Sequence, residues 1–421
     1  MRRILLYFLT LALLLCACGE TPPAQNEEVI PVQGTEQLPE QPSEPLPEIP
    51  PETEPEAPQE PPEEPLPPDP RAECIESILA SMTIEEKVGQ LFFVRCPATD
   101  QVDKICEYHL GGYLLFTRDF QNSAGDWLTE GEFLAKIDSY QAASTIPLLI
   151  GVDEEGGSVA RASRNPNLFP AKRKSPQTIY KYGGMAAILQ DTFDCNSRLL
   201  SLGINVNFAP VADVSRNSGD FIYDRTIGLD AEATARYIEA VVAQMNQCRV
   251  HGELRRMGSV LKHFPGYGNN IDTHTGIAVD KRPMETFMNS DLLPFLSGIR
   301  AGAGAVLVSH NIVECMDAAL PASLSVAVHR LLRRDLGFTG VILTDDLAMD
   351  AVKQYAKDGN AALLALLAGN SMVVTTDFES QIPEILSALE NGAISEEAID
   401  SAVRSVLYWK YDLGLLQGET T

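Results

Sequence analysis

Positive charge is scarce in this sequence. Its 421 residues contain 32 Lys and Arg against 58 Asp and Glu, which gives a formal net charge of −26. Nucleic-acid affinity rests on Lys and Arg that neutralise phosphates, so this balance argues against a nucleic-acid partner. It also argues against a basic patch that would hold anionic lipid head groups.

Motifs for metals and nucleotides are also missing. The cysteines in the body of the chain form no CxxC pair and have no metal-ligand spacing, so we expect most of them to be buried small apolar residues. No glycine loop resembles a phosphate or dinucleotide site. The acidic run at residues 153–155 lacks further ligands at a fixed spacing. We therefore expect neither a metal ion nor a cofactor.

The N-terminus has the pattern of an export signal. Arg2 and Arg3 precede an apolar run at residues 4–15 that is too short to span a bilayer. Residues 15–18 (LCAC) resemble a bacterial lipobox, in which cleavage precedes the last cysteine. We predict a signal peptide at 1–18 and lipidation of Cys18, which would anchor the protein on the extracytoplasmic side of a membrane. An ordinary cleaved signal or a short signal anchor is the alternative.

Residues 19–71 differ in composition from the rest of the chain. Pro, Glu and Gln dominate the segment, and residues 19–70 contain no Lys or Arg. Such a segment cannot bury enough apolar surface to offset the entropy of ordering it. Proline and like charges keep such chains extended. We predict a disordered linker here and a catalytic domain at 72–418.

Apolar, strand-like runs alternate with amphipathic helical stretches throughout the predicted domain. This alternation predicts an α/β fold with a parallel sheet covered by helices. Eight such runs fit a (β/α)8 barrel of one domain, with a doubly wound open sheet as the alternative. The runs are 90–94, 112–116, 147–152, 206–210, 259–262, 305–309, 341–344 and 371–374. The clearest helical stretches are 130–143, 185–202, 231–248, 326–336 and 395–411.

Charged and polar residues cluster directly after the predicted strands. In a (β/α)8 barrel the carboxyl ends of the strands form the active-site face. Five strand ends that carry such residues therefore predict a single site. The residues are Asp153, Asp213, Lys262, His263, His310, Asp345 and Asp346.

One segment resembles a family signature. Residues 262–274 (KHFPGYGNNIDTH) are similar to the signature of glycoside hydrolase family 3, and specifically to its β-N-acetylhexosaminidase branch. Four further segments resemble the same family in the same order. They are 152–161 (VDEEGGSVAR), 207–213 (NFAPVAD), 225–228 (RTIG) and 343–349 (LTDDLAM).

The resemblance implies a retaining glycosidase. Such an enzyme needs a carboxylate nucleophile and a group that first gives and later takes a proton. By resemblance Asp345 is the nucleophile, and His274 with Asp272 forms the acid/base dyad. Histidine titrates near neutrality, which suits proton transfer in both directions. A helix N-cap for Asp345, or an idle surface loop for the dyad, would be the structural alternatives.

The resemblance also implies the residues that bind the sugar. These are Lys262, His263, Asp153, Arg161 and Arg225, although a salt bridge that holds a loop is the alternative for either arginine. His310 either lines the pocket or is structural. Tyr267 departs from the pattern, because the family often has a second His there.

The implied substrate is a glycan with terminal β-linked N-acetylglucosamine, and peptidoglycan fragments are its expected source. Phosphorolysis, β-glucosidase or β-xylosidase specificity, and a non-catalytic sugar-binding lipoprotein are the alternatives. Nothing in the sequence indicates the natural leaving group or an oligomeric state.

Overall fold

The computed structural model describes residues 69–273, 276–355 and 361–416. The predicted signal peptide, the lipidation site Cys18 and nearly all of the predicted linker lie outside these residues, as does His274. The described residues belong to one unit, Leu66–Thr421. No helix among them has the length and the apolar character that crossing a bilayer requires.

A parallel barrel forms the centre of the fold. Among the described residues eight strands pair side by side in the order β7-β6-β5-β4-β3-β2-β1-β8. A parallel bridge between Leu343 and Met372 joins β7 to the segment before β8 and closes the ring. The strands are β1 Phe92–Arg95, β2 Gly112–Leu115, β3 Leu149–Val152, β4 Val206–Asn207, β5 Gly258–Phe264, β6 Ala305–Val308, β7 Val341–Thr344 and β8 Val373–Thr375.

Helices surround the barrel, and their ends follow from local chemistry. Thr129 and Glu132 form a capping box at the start of α4, and proline is the first residue of α1 and α5. The helices are α1 Pro70–Ser81, α2 Ile84–Gln90, α3 Gln101–Tyr108, α4 Glu130–Ala143, α5 Pro176–Ser201, α6 Ala231–Met245, α7 Met284–Thr286, α8 Leu292–Arg300, α9 Val326–Arg330, α10 Asp350–Lys353, α11 Ala361–Ala368, α12 Phe378–Glu390 and α13 Glu396–Asp412.

Two hydrophobic cores hold these layers together. Alternate residues of a strand point to opposite faces of the sheet, so each strand feeds both cores. In β7, Val341 and Leu343 lie in the cluster that fills the barrel, whereas Ile342 lies in the cluster between barrel and helices. The near-continuous apolar strands of the sequence reflect this burial on both faces.

Helix α13 closes the amino-terminal end of the barrel. Its Val406, Trp409 and Leu413 belong to the interior cluster. Glycine is needed beside the Trp409 ring, because a Cβ atom on Gly304 would lie 2.2 Å from Trp409 Nε1. The opposite end of the barrel, at the carboxyl ends of the strands, carries the predicted site residues.

The predicted barrel is confirmed, and the open-sheet alternative is wrong because the ring closes. Each predicted strand run overlaps an observed strand, and α4 has the predicted bounds. The helix expected at 231–248 ends at Met245, and Cys248 begins a hairpin of Cys248–Val250 with Glu253–Arg255. The helix expected at 326–336 changes after Arg330 into a π-helical turn, Leu331–Asp335. A further pair of short strands is Val279–Asp280 with Ile312–Val313. The bounds 19–71 and 72–418 stay predictions.

Candidate active site

Two of the predicted sugar-binding residues, Asp153 and Lys262, meet at the carboxyl ends of β3 and β5. Asp153 follows β3 directly, and Lys262 lies near the end of β5. The Lys262 ammonium group donates to Asp153 Oδ1 at 2.7 Å and lies 2.6 Å from Glu155 Oε1. The two strand ends are thus joined by a buried ammonium group between two carboxylates.

Glu155 is the centre of this charge network. Arg225 donates to it through two nitrogens, at 2.7 and 2.9 Å. Burial alone would raise the pKa of Glu155, but the charges of Arg225 and Lys262 hold it well below its ordinary range. Glu155 therefore stays ionised and fixes both cations. Two nitrogens of Arg225 bind a protein carboxylate, so its geometry fits the predicted alternative of a salt bridge that holds a loop.

His263 is held in one tautomer by its neighbours. Its Nδ1 lies 2.7 Å from Asp213 Oδ2, and its Nε2 lies 3.0 Å from an Arg225 nitrogen. Arginine can only donate, so Nε2 accepts and Nδ1 carries the proton that Asp213 binds. The Asp213 carboxylate is buried and also accepts from the backbone N–H groups of His263 and Tyr267, at 3.2 and 2.7 Å. Asp213 thus orients the ring.

Asp345 directly follows β7. Its backbone N–H donates to Val308 O at 3.0 Å, which extends the β7–β6 pairing by one residue, and its Oδ1 accepts from the Asp346 N–H at 2.9 Å. Burial and the neighbouring Asp345 charge raise the pKa of Asp346, whose carboxylate accepts from the Ala348 N–H at 2.9 Å. Asp346 is therefore less readily ionised than an ordinary aspartate, and its carboxylate stabilises the turn after β7.

Tyr267 and Asp272 belong to the loop that follows β5, and Asp345 follows β7. Burial, together with the charges of these two carboxylates, raises the pKa of Tyr267 to about 12. The Thr273 N–H, next to Asp272, donates to the Tyr267 hydroxyl at 3.0 Å. Asp272 and Asp345 thus lie on loops that follow strands of the same barrel, β5 and β7, at the carboxyl ends of those strands. His274, the third predicted catalytic residue, lies outside the described residues.

Arg161 lies on the loop after β3. Its backbone N–H donates to Glu154 Oε2 at 2.9 Å, and its guanidinium carbon lies 5.5 Å from the Phe116 ring centroid. Among the described residues its buried Nε has no hydrogen-bond partner. Unlike Arg225, Arg161 thus forms no salt bridge to a carboxylate in the described part of the chain, and its role in sugar binding stays a prediction.

His310 has a structural environment. Its Nε2 lies 3.0 Å from the Asp346 carbonyl oxygen, which can only accept, so Nε2 carries the proton. Its Nδ1 then accepts from the Ser323 hydroxyl at 2.7 Å. The ring is fully buried and ties the loop after β6 to the turn after β7. Of the two predicted roles the structural one fits this geometry.

Sequence reasoning missed the roles of two residues that organise the site. In the sequence Glu155 stands out only as part of an acidic run, and Asp213 only as a polar residue that follows a predicted strand. Both bind residues far along the chain, and no local spacing announces such partners. The signal available was their position: each follows a buried strand within a segment of the family-like pattern.

The structure describes no cluster of three or more His, Cys, Asp or Glu residues able to hold a metal ion within 69–273, 276–355 and 361–416. Its six described cysteines form no disulfide with one another.

Comparison with known proteins identifies the family. The model of the glycosyl hydrolase family 3 N terminal domain matches residues 83–408. The chain belongs to glycoside hydrolase family 3. A β-hexosaminidase of Xanthomonas euvesicatoria pv. vesicatoria (strain 85-10) is 32% identical over 315 residues, which cover 73% of this chain and 88% of the relative. One from Xylella fastidiosa (strain M23) is 30% identical over 318 residues, covering 74% and 90%.

Solved structures of family 3 agree with this assignment. A β-N-acetylglucosaminidase from Paenibacillus sp. str. FPU-7 superposes with a TM-score of 0.71 at 29% identity, over 81% of this chain and 64% of that longer chain. The chain thus spans less than two thirds of the Paenibacillus protein. A β-N-acetylhexosaminidase from Beutenbergia cavernae DSM 12333 gives 0.68 at 26% identity, over 79% and 99%. The predicted resemblance to family 3 and its β-N-acetylhexosaminidase branch is confirmed, and with it the classification as a glycoside hydrolase.

Proposed function

We propose that this family 3 chain is a retaining exo-β-N-acetylhexosaminidase that removes terminal β-linked N-acetylglucosamine. The observation that carries the proposal is that Asp345 and the Lys262–Glu155–Arg225 network lie at the carboxyl ends of the strands of one barrel, in a chain whose relatives include β-hexosaminidases. The loop that carries Asp272 follows β5 of the same barrel, so the nucleophile and the dyad loop belong to one face of the fold.

Asp345 acts as the nucleophile in the first step. Its carboxylate attacks the anomeric carbon while the bond from that carbon to the leaving oxygen breaks, which leaves a glycosyl–aspartate ester. The rigid end of β7 holds Asp345, because its backbone N–H is bonded to Val308 O. A fixed nucleophile loses little entropy on reaching the transition state.

His274 gives its proton to the leaving oxygen in that step. In the second step it takes a proton from the water that attacks the ester, which frees the sugar and regenerates Asp345. Asp272 stabilises the imidazolium form and orients the ring, as carboxylates do in other Asp–His pairs.

Lys262 and Asp153 bind sugar hydroxyls in the same site. The Lys262 ammonium group has three donors and the Asp153 carboxylate only accepts, so together they match a hydroxyl that both donates and accepts. Glu155 supplies the charge that keeps Lys262 at the rim. His263 presents a ring fixed by Asp213 and Arg225.

Hydrolysis of chromogenic sugars by the purified full-length chain tests the proposal. We expect turnover of a 4-nitrophenyl β-N-acetylglucosaminide, and less of the matching β-glucoside or β-xyloside. Asp345→Ala should lower kcat by more than roughly 10³-fold, because the covalent step is lost. Asp335→Ala, at the exposed turn before β7, is the matched control and should keep wild-type kcat. Sugar binding without turnover would instead favour a binding protein.

Adding phosphate tests whether water or phosphate accepts the sugar from Asp345 in the second step. A histidine acid/base carries no negative charge to repel phosphate, so phosphate could replace water in the second step. We expect free N-acetylglucosamine as the product in both conditions. Sugar 1-phosphate formed only with added phosphate would identify a phosphorylase.

For the location, we propose an exported protein anchored through lipid on Cys18 and acting on peptidoglycan-derived fragments. Support comes from the lipobox-like sequence at 15–18. A single acyl chain anchors weakly, whereas two or more hold stably. Cys18→Ser should therefore move the protein from the membrane fraction to the soluble fraction, and unchanged membrane recovery would refute the lipid anchor.

A further inference from the structure

Tyr267 stands at the base of the loop that leads to Asp272. Its side chain is buried, with 2% of its surface exposed, and its phenol uses every bonding position it has. The hydroxyl donates to Ile271 O at 3.1 Å and accepts from the Thr273 N–H at 3.0 Å. The Thr273 hydroxyl lies 3.1 Å away and supplies the remaining bond. The phenol therefore ties both neighbours of Asp272.

The rest of Tyr267 is fixed to the rigid part of the site. Its backbone N–H donates to Asp213 Oδ1 at 2.7 Å, and its ring packs edge-on against the His263 ring at 5.6 Å between centroids. On the other side the Phe221 ring lies at 5.6 Å. The tyrosine thus links the β5 end of the barrel to the loop segment around Asp272.

We propose that the Tyr267 hydroxyl is a latch that positions the acid/base loop carrying Asp272 and His274. The inference rests on the proposed function and adds a positioning residue to it. Thr273 lies between the two members of the dyad, Asp272 and His274, in the sequence. Since consecutive Cα atoms lie 3.8 Å apart across a trans peptide, fixing the Thr273 backbone restricts where His274 can begin.

The latch is matched to this chain in particular, because Tyr267 occupies the position at which the family often has a second His. The Tyr267 hydroxyl both donates to Ile271 O and accepts from the Thr273 N–H, whereas one nitrogen of a neutral imidazole can only donate or only accept. The high pKa of Tyr267, about 12, keeps the hydroxyl protonated, so it remains a donor to Ile271 O throughout the range in which histidine titrates.

The test removes single oxygen atoms. Tyr267→Phe deletes the latch hydroxyl and keeps the ring, and Thr273→Val deletes its partner hydroxyl at nearly constant volume. Tyr113→Phe is the matched control, because it also removes a buried phenol, one that donates to Gln101 O at 2.7 Å. Each variant is assayed on 4-nitrophenyl β-N-acetylglucosaminide, whose leaving group needs no proton, and on N,N′-diacetylchitobiose, whose leaving group does.

The expected signature is a substrate-dependent loss. Misplacing a proton donor by about 1 Å can cost roughly 100-fold. We expect Tyr267→Phe to lower kcat on the disaccharide by roughly 10-fold to 100-fold and on the nitrophenyl sugar by no more than roughly threefold. Thr273→Val should act in the same direction, and the double variant should lose less than the product of the single losses, because both remove one contact. Tyr113→Phe should change the two substrates equally or not at all.

Hydrogen exchange at the Thr273 amide provides a readout that does not need activity. We expect it to quicken about tenfold in Tyr267→Phe, since a protecting hydrogen bond is lost. Unchanged exchange, or equal losses on both substrates, would overturn the latch while wild-type turnover upheld the proposed function. Failure of the wild-type protein on both substrates would refute the proposed function and, with it, the role of the latch.

Discussion

Glu155 shows how much of this site depends on one buried carboxylate. It pairs with two cations, Lys262 and Arg225, and without it Lys262 would keep only Asp153 of its two carboxylate partners. Such a group is costly to bury alone but becomes a fixed support once both partners are present. The sugar-binding positions are therefore coupled electrostatically to a residue with no assigned contact to the sugar.

The first prediction concerns this carboxylate. Glu155→Gln should lower the free energy of unfolding at pH 7 by about 3–5 kcal/mol, because removing one partner leaves buried charge uncompensated. It should also raise KM, since Lys262 loses one of its two anchors. Chemical denaturation and steady-state kinetics measure the two effects.

Glu397→Gln, at an exposed position of α13, is the control for this prediction and should change the unfolding free energy by less than about 0.5 kcal/mol. If Glu155→Gln also left the free energy of unfolding unchanged, the charge network would not contribute to stability.

At the residue scale the sequence predicted identities better than partners. Lys262, His263, Asp153 and Asp345 were recognisable because they stand in family-like segments at strand ends. Their contacts were not, because Lys262 and Glu155 are separated by more than a hundred residues and no periodicity encodes such a pair. Arg225 illustrates the limit: its type was predicted, whereas its two bonds to Glu155 required coordinates.

At the element scale, Arg282 fastens the end of the acid/base loop. Its guanidinium group bonds Asp280 at 2.8 Å and Asp291 at 2.9 Å. Asn270, inside the loop, donates to the same Asp280 carboxylate at 2.9 Å. The loop therefore returns to a charged cluster that also contacts the π-helical turn Phe287–Asp291.

We expect Arg282→Met to loosen the whole loop. The substitution leaves two buried aspartates without their cation, so kcat on N,N′-diacetylchitobiose should fall by roughly 10-fold or more. Limited proteolysis should cut between residues 266 and 280 sooner than in the wild type. Lys281→Met is the adjacent control, because that side chain is 75% exposed and should tolerate the change. Identical cleavage rates in Arg282→Met and the wild type would contradict the role of Arg282 in holding the loop.

Strands were easier to predict than the ends of helices. A strand buried on both faces reads as a short apolar run, and β7 was placed with its observed bounds for that reason. Helix 231–248 was predicted too long, because apolar residues continue past Met245 into the hairpin and periodicity alone does not mark the change. The π-helical turn after Arg330 keeps a helical pattern of side chains, so it reads as uninterrupted helix.

At the scale of the whole molecule, a buried lysine makes stability depend on pH. Lys410 on α13 is fully buried, and its amine donates to Gln90 Oε1 at 2.6 Å. Burial lowers the pKa of Lys410 to about 7. Between about pH 7 and the ordinary lysine value, the unfolded chain binds a proton that the folded chain does not. Stability therefore rises with pH across this window and is lowest below about pH 7.

Lys410→Met tests this linkage. We expect the variant to be more stable than the wild type at pH 7, by roughly 2–4 kcal/mol, since a pKa shift of one unit corresponds to about 1.4 kcal/mol and Gln90 loses a partner. The advantage should shrink as pH rises toward 10. Urea unfolding at several pH values measures the effect, with exposed Lys172→Met as the control. A constant difference at every pH would contradict the assignment.

The position of α13 at the amino-terminal end of the barrel also determines when, during synthesis, the barrel interior can be closed. Trp409 fills the interior beside Gly304, and along the sequence it follows every strand of the ring. A ribosome that has finished β8 still has to add α12 and most of α13 before this plug exists. Until α13 has been made, the apolar interior of the barrel stays open at this end, and products that stop short of α13 should be captured by chaperones or aggregate.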